Sequence, residues 1–288
     1  MANTREIRRR IRTVQNAAKV TKAMELVAAS KMRRAQQRAL AGRPYAERLT
    51  WVLADLAETM PQMDPDTLHP LLQRRDVEKA CIVLMTPNRG LCGGLPANIN
   101  RRASSLALDL DVPVSMIAVG KKGRDFFRRS DVDMRATFTE LGDYPDYNDI
   151  LPIARVVIDD YLANEYDKVL LVYPYFVNTM TQEPRVHQLL PVQPPEDQET
   201  QAVDYIYEPN REELLADLLP RYIEMEIYEA ILETIASEQS ARMVAMRNAT
   251  DAAEEMMEEL TLARNKARQE QITKELLDIV GGVESMQV

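Results

Sequence analysis

The residues of this 288-residue chain that could do chemistry are few. TPNRGLCGGLPANIN (86–100) sets a glycine-rich turn between an apolar run and a helix-like stretch. Such a turn can aim backbone N–H groups at a phosphate. The pattern is neither GxGxxG nor GxxxxGK[ST], no lysine follows it, and no acidic ribose partner is apparent downstream. A tight structural turn, or a turn that meets a protein partner, accounts for it better. Asp251, Glu254, Glu255, Glu258 and Glu259 look like paired carboxylates. At helical spacing they form a solvated stripe, and no His or apolar pocket accompanies them to shift a pKa or complete a metal site. His69 and His187 are the only histidines, each isolated in a Pro-containing segment. They offer neither a zinc cluster nor a plausible triad. Cys81 lies in an apolar run and Cys92 in the glycine turn, which suggests no disulfide framework and fits a reducing compartment. The expectation is a chain with no catalytic residue, no metal ligand and no cofactor of its own.

The distribution of helix breakers says more. All 16 prolines lie between Pro44 and Pro220, and all nine glycines lie in 42–142 or at Gly281 and Gly282. Two long breaker-free ends therefore flank a middle that holds the turns. No Gly or Pro interrupts Arg221 to Val280, a stretch about 90 Å long if helical. A compact chain of this size is only roughly 50 Å across. Such a helix outruns any body that could bury it.

Both ends carry a repeat of 4 and 3. The first reads Ile7, Ile11, Val14, Ala18, Thr21, Glu25, Ala28, Met32, Ala35, Ala39. The second reads Ile223, Ile227, Ala230, Thr234, Ser237, Ala241, Val244, then fades through Asn248 and Asp251. These are coiled-coil seams rich in small residues, which allow close approach. Residues 1–43 hold 12 Lys/Arg against two acids, whereas 221–280 hold seven against 13, so the two helices attract. The simplest geometry pairs them antiparallel, both projecting from the middle domain. The second helix, longer by some 20 residues, should stand alone near 265–280. There Ile272, Leu276 and Ile279 again repeat at 4 and 3, and without a partner helix another molecule must bury them.

The middle reads as α/β. KACIVLMT (79–86), VPVSMIAVG (112–120) and KVLLVYPYF (168–176) are apolar runs of strand length, separated by helix-like stretches near 98–110, 121–129 and 148–164. That alternation predicts a mainly parallel sheet. RVHQLLPV and VDYIYEP are candidate edge strands, and QPPEDQETQ (193–201) is a polar loop. The expected fold class is α/β plus a long coiled coil: an antiparallel two-helix coiled coil from the N- and C-terminal segments, with a Rossmann-like α/β domain between them. The expected divisions are an N-terminal coiled-coil helix over 1–60, a Rossmann-like α/β foot domain over 75–210 and a long C-terminal coiled-coil helix over 211–288. No run of 18 apolar residues spans a membrane, and MANTREIRRRIR lacks a signal-peptide core. The basic first helix suits an acidic protein surface, an anionic membrane, nucleic acid, or simple solvation beside the seam. A chain at −9 with few aromatics in that helix argues against nucleic acid. An Ala-rich stripe committed to the seam argues against membrane. An enzyme built on the middle domain, with the helices as a dimerisation arm, is the competing class.

Four stretches resemble the gamma subunit of F-type ATP synthases: IRRRIRTVQNAAKVTKAMELVAASKMRRAQ, RGLCGG, DYIYEP, and SEQSARMVAMRNATD with LTLARNKARQEQITKELLDIVGG. They lie in family order and span nearly the whole chain. The resemblance implies a central-stalk rotor in which proton flow through a membrane ring of c subunits turns the shaft. The shaft then drives the catalytic sites on beta through ATP synthesis, or runs backwards on hydrolysis. Implied partners are three alpha and three beta subunits, the epsilon subunit and the c ring. No nucleic acid is implied, and membrane association is indirect, on the cytoplasmic side of a bacterial plasma membrane. The resemblance places Lys22, Met24 and Lys31 near beta's acidic lever loop, with Arg89 and Cys92 facing the same region and Arg242 on the opposing helix. It places Arg268, Gln269 and Thr273 against beta's catch loop, and Tyr205 and Glu208 near epsilon and the c ring. Arg264 stands where family members often have Tyr, and Pro96 where they often have Asn.

Overall fold

The computed structural model describes residues 4–58, 69–130, 132–193 and 210–286. In chain order the elements are α1 (Thr4–Glu58), β1 (Ala80–Met85), α2 (Leu95–Asp109), β2 (Val114–Val119), α3 (Lys121–Phe127), β3 (Asp133–Phe138), α4 (Tyr147–Leu162), β4 (Lys168–Phe176), β5 (Gln182–Leu190) and α5 (Arg211–Met286). They divide into two compact units. One comprises the chain up to Ala28 and from Met243 onward; the other is Ala29–Arg242.

The larger unit is built on one five-stranded sheet of order β3-β2-β1-β4-β5. β1 pairs in parallel with β2 and β4, β2 with β3, and β5 closes the edge antiparallel to β4. Six consecutive buried residues, ACIVLM, make β1 the centre of this sheet, as expected for a strand covered on both faces. Its side chains alternate. Cys81, Val83 and Met85 join a core with Leu49 and Leu53 of α1, Ile150, Ile153 and Val157 of α4, and Ile223 and Ile227 of α5. Ile82 and Leu84 face the other way, onto Leu95, Ile99 and Ala103 of α2 and Phe127 of α3. The result is the doubly wound, Rossmann-like arrangement expected from the apolar runs.

One strand departs from the sequence reading, and both long helices carry a proline. β3 was not anticipated: DMRATF is an edge strand whose residues are only alternately half-buried, so no apolar run announces it. The first helix runs through Gly42 and Pro44 to Glu58. An interior proline costs roughly 3 kcal/mol; burying Leu49 and Leu53 returns about 1.5–3 kcal/mol each. Likewise α5 begins at Arg211 and carries Pro220 inside it. There the Asn210 side chain accepts from the Glu213 N–H at 2.8 Å and donates to the Glu213 carboxylate at 2.7 Å, capping the first turn. VDYIYEP lies outside the described residues.

The smaller unit is the paired chain ends. Thr4 lies 3.4 Å from Gln271, Thr21 2.7 Å from Thr250, and Glu25 3.1 Å from Arg247. Numbers rise on one helix as they fall on the other, so the pair is antiparallel. Ile7, Ile11, Val14, Ala18, Thr21, Glu25 and Ala28 are all buried or half-buried. The partner seam on α5 is Met246, Thr250, Ala253, Met257, Leu260, Arg264 and Ala267, again buried or half-buried. It therefore does not fade after Val244; it shifts face. From Ala230 to Ser240 most positions of α5 are buried whichever way they point, so the 4-and-3 count taken there does not mark the face used farther on. Nor does the helix lose its partner at 265. Thr4 reaches Gln271 at 3.4 Å, inside the stretch expected to stand alone. Ile272, Leu276, Leu277 and Ile279 are each about half exposed or more.

Candidate functional site: a partner interface

The larger unit gathers four of the anticipated contact residues at the C-terminal edge of the sheet. β1 runs into the turn 86–94, where Gly120 comes so close that a Cβ on it would sit 1.9 Å from the Thr86 carbonyl oxygen, at a φ of +110°. Only glycine fits that approach. The Thr86 hydroxyl accepts the Gly123 N–H at 2.8 Å and the Asn88 side-chain oxygen Oδ1 accepts the Lys121 N–H at 3.0 Å. The turn is thereby held rigidly against the start of α3. Cys92 lies inside it, 1% exposed, its thiol 3.6 Å from the Arg89 carbonyl oxygen. Burial pushes that thiol up from its ordinary pKa, which suits packing rather than reactivity.

Around this turn stands a network of charges. The Lys31 ammonium on α1 donates to Asp143, in the β3–α4 loop, at 2.6 Å. Arg242 on α5 donates to Glu238, one helical turn earlier, at 2.6 Å, and to the Gly90 carbonyl oxygen at 3.2 Å. The charge of Arg89 reaches both acids. The two carboxylates respond in opposite senses. The Lys31 hydrogen bond holds Asp143 below the usual range, whereas burial raises Glu238 despite Arg242 beside it. Depth decides the difference: the Glu238 side chain is 13% exposed and that of Asp143 37%. A cavity of about 380 Å³, lined in part by Thr86, Asn88, Arg89, Gly120, Asp143 and Glu238, opens beside them.

The other anticipated residues fall elsewhere. In the smaller unit Lys22 donates to Glu25 at 2.9 Å. Met24 is 37% exposed, on an outward stripe with Val20 and Val27. Arg268, Gln269 and Thr273 are exposed on α5. Tyr205 and Glu208 lie outside the described residues. Sequence reasoning passed over Asp143 and Glu238 altogether. The i,i+4 spacing of Glu238 and Arg242 could have flagged the second pair, whereas Asp143 sits 112 residues from Lys31 and has no local signal. The acids 251, 254, 255, 258 and 259 are all exposed. Among the described residues no cluster of His, Cys, Asp or Glu could hold a metal ion, and no helix is long and apolar enough to cross a membrane.

Fold and site together define a class: a doubly wound α/β unit and a unit of paired helical ends, with charged and apolar groups left at their surfaces. The sequence profile of the family described as ATP synthase matches residues 3–286. The ATP synthase gamma chain of Dehalococcoides mccartyi strain CBDB1 is 58% identical over 99% of this chain and 100% of its own length. That of Roseiflexus castenholzii is 50% identical over 99% of each. In structure, a chain of the Tetrahymena thermophila mitochondrial ATP synthase central stalk and c ring matches with a TM-score of 0.60 at 25% identity, covering 80% of this chain and 99% of that one. A rotor chain of the Euglena gracilis mitochondrial enzyme shares the fold, with a TM-score of 0.66 at 20% identity over 93% and 98%. The chain belongs to the ATP synthase gamma-chain family.

Proposed function

We infer that this chain works as a mechanical coupler with no catalytic residue of its own, one copy standing among three alpha and three beta subunits. Epsilon and a membrane ring of c subunits bind it at the other end of the transmission. Proton flow turns the ring and the chain together; the asymmetric shaft pushes the beta subunits through successive conformations, and ATP hydrolysis reverses the cycle. The complex sits on the cytoplasmic side of a bacterial plasma membrane, this chain reaching the membrane only through the ring.

The observation that carries this reading is the pairing of the chain ends. Two helices bonded internally and locked along a seam rich in Ala and Thr resist twisting. Small seam residues keep the pair slender, so its outer faces meet the neighbours. Those faces bear Lys22, Met24, Arg268, Gln269 and Thr273, and beyond Gln271 the uncovered Ile272, Leu276, Leu277 and Ile279. We assign Lys22, Met24, Lys31, Arg89 and Arg242 to the acidic lever loop of beta, with Cys92 shaping the turn. Arg268, Gln269 and Thr273 belong to the catch loop, and Tyr205 and Glu208 to epsilon and the c ring. The apolar tip fits a hydrophobic bearing.

The test is native purification from detergent-solubilised membranes through a tag on this chain. One copy should emerge with three each of two larger ATP-binding subunits, and ATPase activity should fall when the chain is removed. Recovery of the chain alone or as a homodimer, from lysate that keeps such complexes intact, would overturn the reading.

A further inference from the structure

We propose that Asp143 and Glu238 are placeholder counter-ions. In the chain by itself they occupy the positions on Lys31 and Arg242 that carboxylates of an acidic partner segment take in the assembled enzyme, so that docking exchanges one carboxylate for another. This rests on the coupling role inferred above and adds to it the residues that set how tightly the partner is held.

Three observations carry it. First, the cations assigned to the partner already have carboxylates: both pairs are closed at 2.6 Å, the short distance of a charge-assisted hydrogen bond. An acidic segment approaching these cations therefore competes with internal acids rather than meeting bare charge. Second, the two acids set the electrostatic cost of docking. In the chain alone they keep the positive charges of Lys31, Arg89 and Arg242 from facing one another; a displaced carboxylate stays on the chain beside the incoming one, so neutralising it favours the partner. Third, there is room and a route. The cavity of about 380 Å³ opens on Asp143 and Glu238. Asp143 is more exposed than the Lys31 it binds and belongs to the loop between β3 and α4, so it can swing away while Lys31 stays on its helix. Glu238 sits on α5 itself, and burial already disfavours its charged form.

The two acids should differ in effect. Asp143 is the acid readily displaced. Glu238 is held by the helix and resists, so it acts as the stiffer of the two. A partner segment with carboxylates spaced to meet both cations would engage Lys31 first.

The test uses the full chain titrated into a purified alpha–beta hexamer, reading the chain concentration that gives half-maximal ATPase activation, at low and at high salt. Asp143→Asn, the more exposed acid, should lower that concentration by about three- to tenfold at low salt, with the gain shrinking at high salt. Glu238→Gln should act in the same direction, and Lys31→Ala should raise the concentration. Thermal melts confirm that each variant is folded. If Lys31→Ala weakens activation while Asp143→Asn leaves it unchanged or weakens it too, the placeholder proposal is overturned and the coupling role stands. If no variant at Lys31, Arg242, Asp143 or Glu238 alters activation, both are overturned.

Discussion

Glu25 of α1 and Arg247 of α5 meet at 3.1 Å across the helix pair, with Lys22 on the second carboxylate oxygen at 2.9 Å. Glu25 occupies a seam position and is 5% exposed, yet both cations are more than half exposed. An acid stands where the 4-and-3 repeat asks for an apolar residue, and it is satisfied from both sides. Two helices make too thin a body to penalise the charge heavily, so the hydrogen bond from Lys22 outweighs burial and the carboxyl titrates below its usual range.

This arrangement favours register over stability. Replacing a covered ion pair by a well-packed apolar side chain is often neutral or stabilising. Here Lys22 and Arg247 would simply return to water. Glu25→Leu should therefore melt at or above the parent temperature, whereas Glu25→Ala should cost about 1–2 kcal/mol through lost packing and lost pairing. Circular dichroism melts at neutral pH check this; Glu25→Leu falling below Glu25→Ala would be the contrary result.

Asp143 and Glu238 should imprint opposite pH dependences. The folded-state pKa of Asp143 is depressed, so its stabilisation is present above the unfolded value and is lost as pH falls through the folded one. Asp143→Asn should lower the melting temperature at neutral pH, and the difference should close in acid. Glu238 has a raised folded-state pKa, so its favourable contribution belongs to low pH and is lost as pH rises through that value. Melts of Asp143→Asn, Glu238→Gln and the parent across the carboxylate range would separate the two.

Gly120 cannot take a side chain. At φ +110° an added Cβ lands 1.9 Å from the Thr86 carbonyl oxygen, and backbone cannot yield as a flexible side chain would. Strain and overpacking of about 1–3 kcal/mol each predict a loss of roughly 3 kcal/mol or more for Gly120→Ala. Urea denaturation would measure it. A loss within about 0.5 kcal/mol, as at an ordinary surface site, would contradict the close approach.

Stiffness is testable in α5 itself. Proline at Ala241 removes a helical hydrogen bond and drives its ring into the preceding turn, costing about 3 kcal/mol or more. In assembled enzyme, Ala241→Pro should uncouple ATPase activity from proton pumping. Pumping per ATP hydrolysed at the parent ratio would refute the need for an unbroken shaft.

Much of the fold was legible in the residues because it depends on local rules. Breaker-free ends, the seam from Ile7 to Ala28 and the apolar runs at β1, β2 and β4 each follow from propensity and period, which neighbours in the chain settle among themselves. The spacing of breakers alone stops short of Pro44 and Pro220; the helices run through both because distant core contacts made by Leu49, Leu53 and Ile223 outweigh a local penalty. β3 escaped for the same reason in reverse: an edge strand needs only half its residues covered, so its pattern is too weak to stand without the sheet beside it.

The site divides the same way. The assignment of residues to a partner came from the chain alone, through the resemblance carried by TKAMELVAASKM, RGLCGG, SEQSARMVAMRNATD and NKARQEQIT. What those residues already hold did not. Lys31 finds Asp143 and Glu25 finds Arg247 only when segments 112 and 222 residues apart are brought together. An ion pair depends on distance in space, and sequence spacing reports that distance only within a helix or a strand. Sequence by itself therefore determined the family, the helical ends and the α/β middle. Tertiary structure alone decided which charges are free to meet a neighbour and which are already paired.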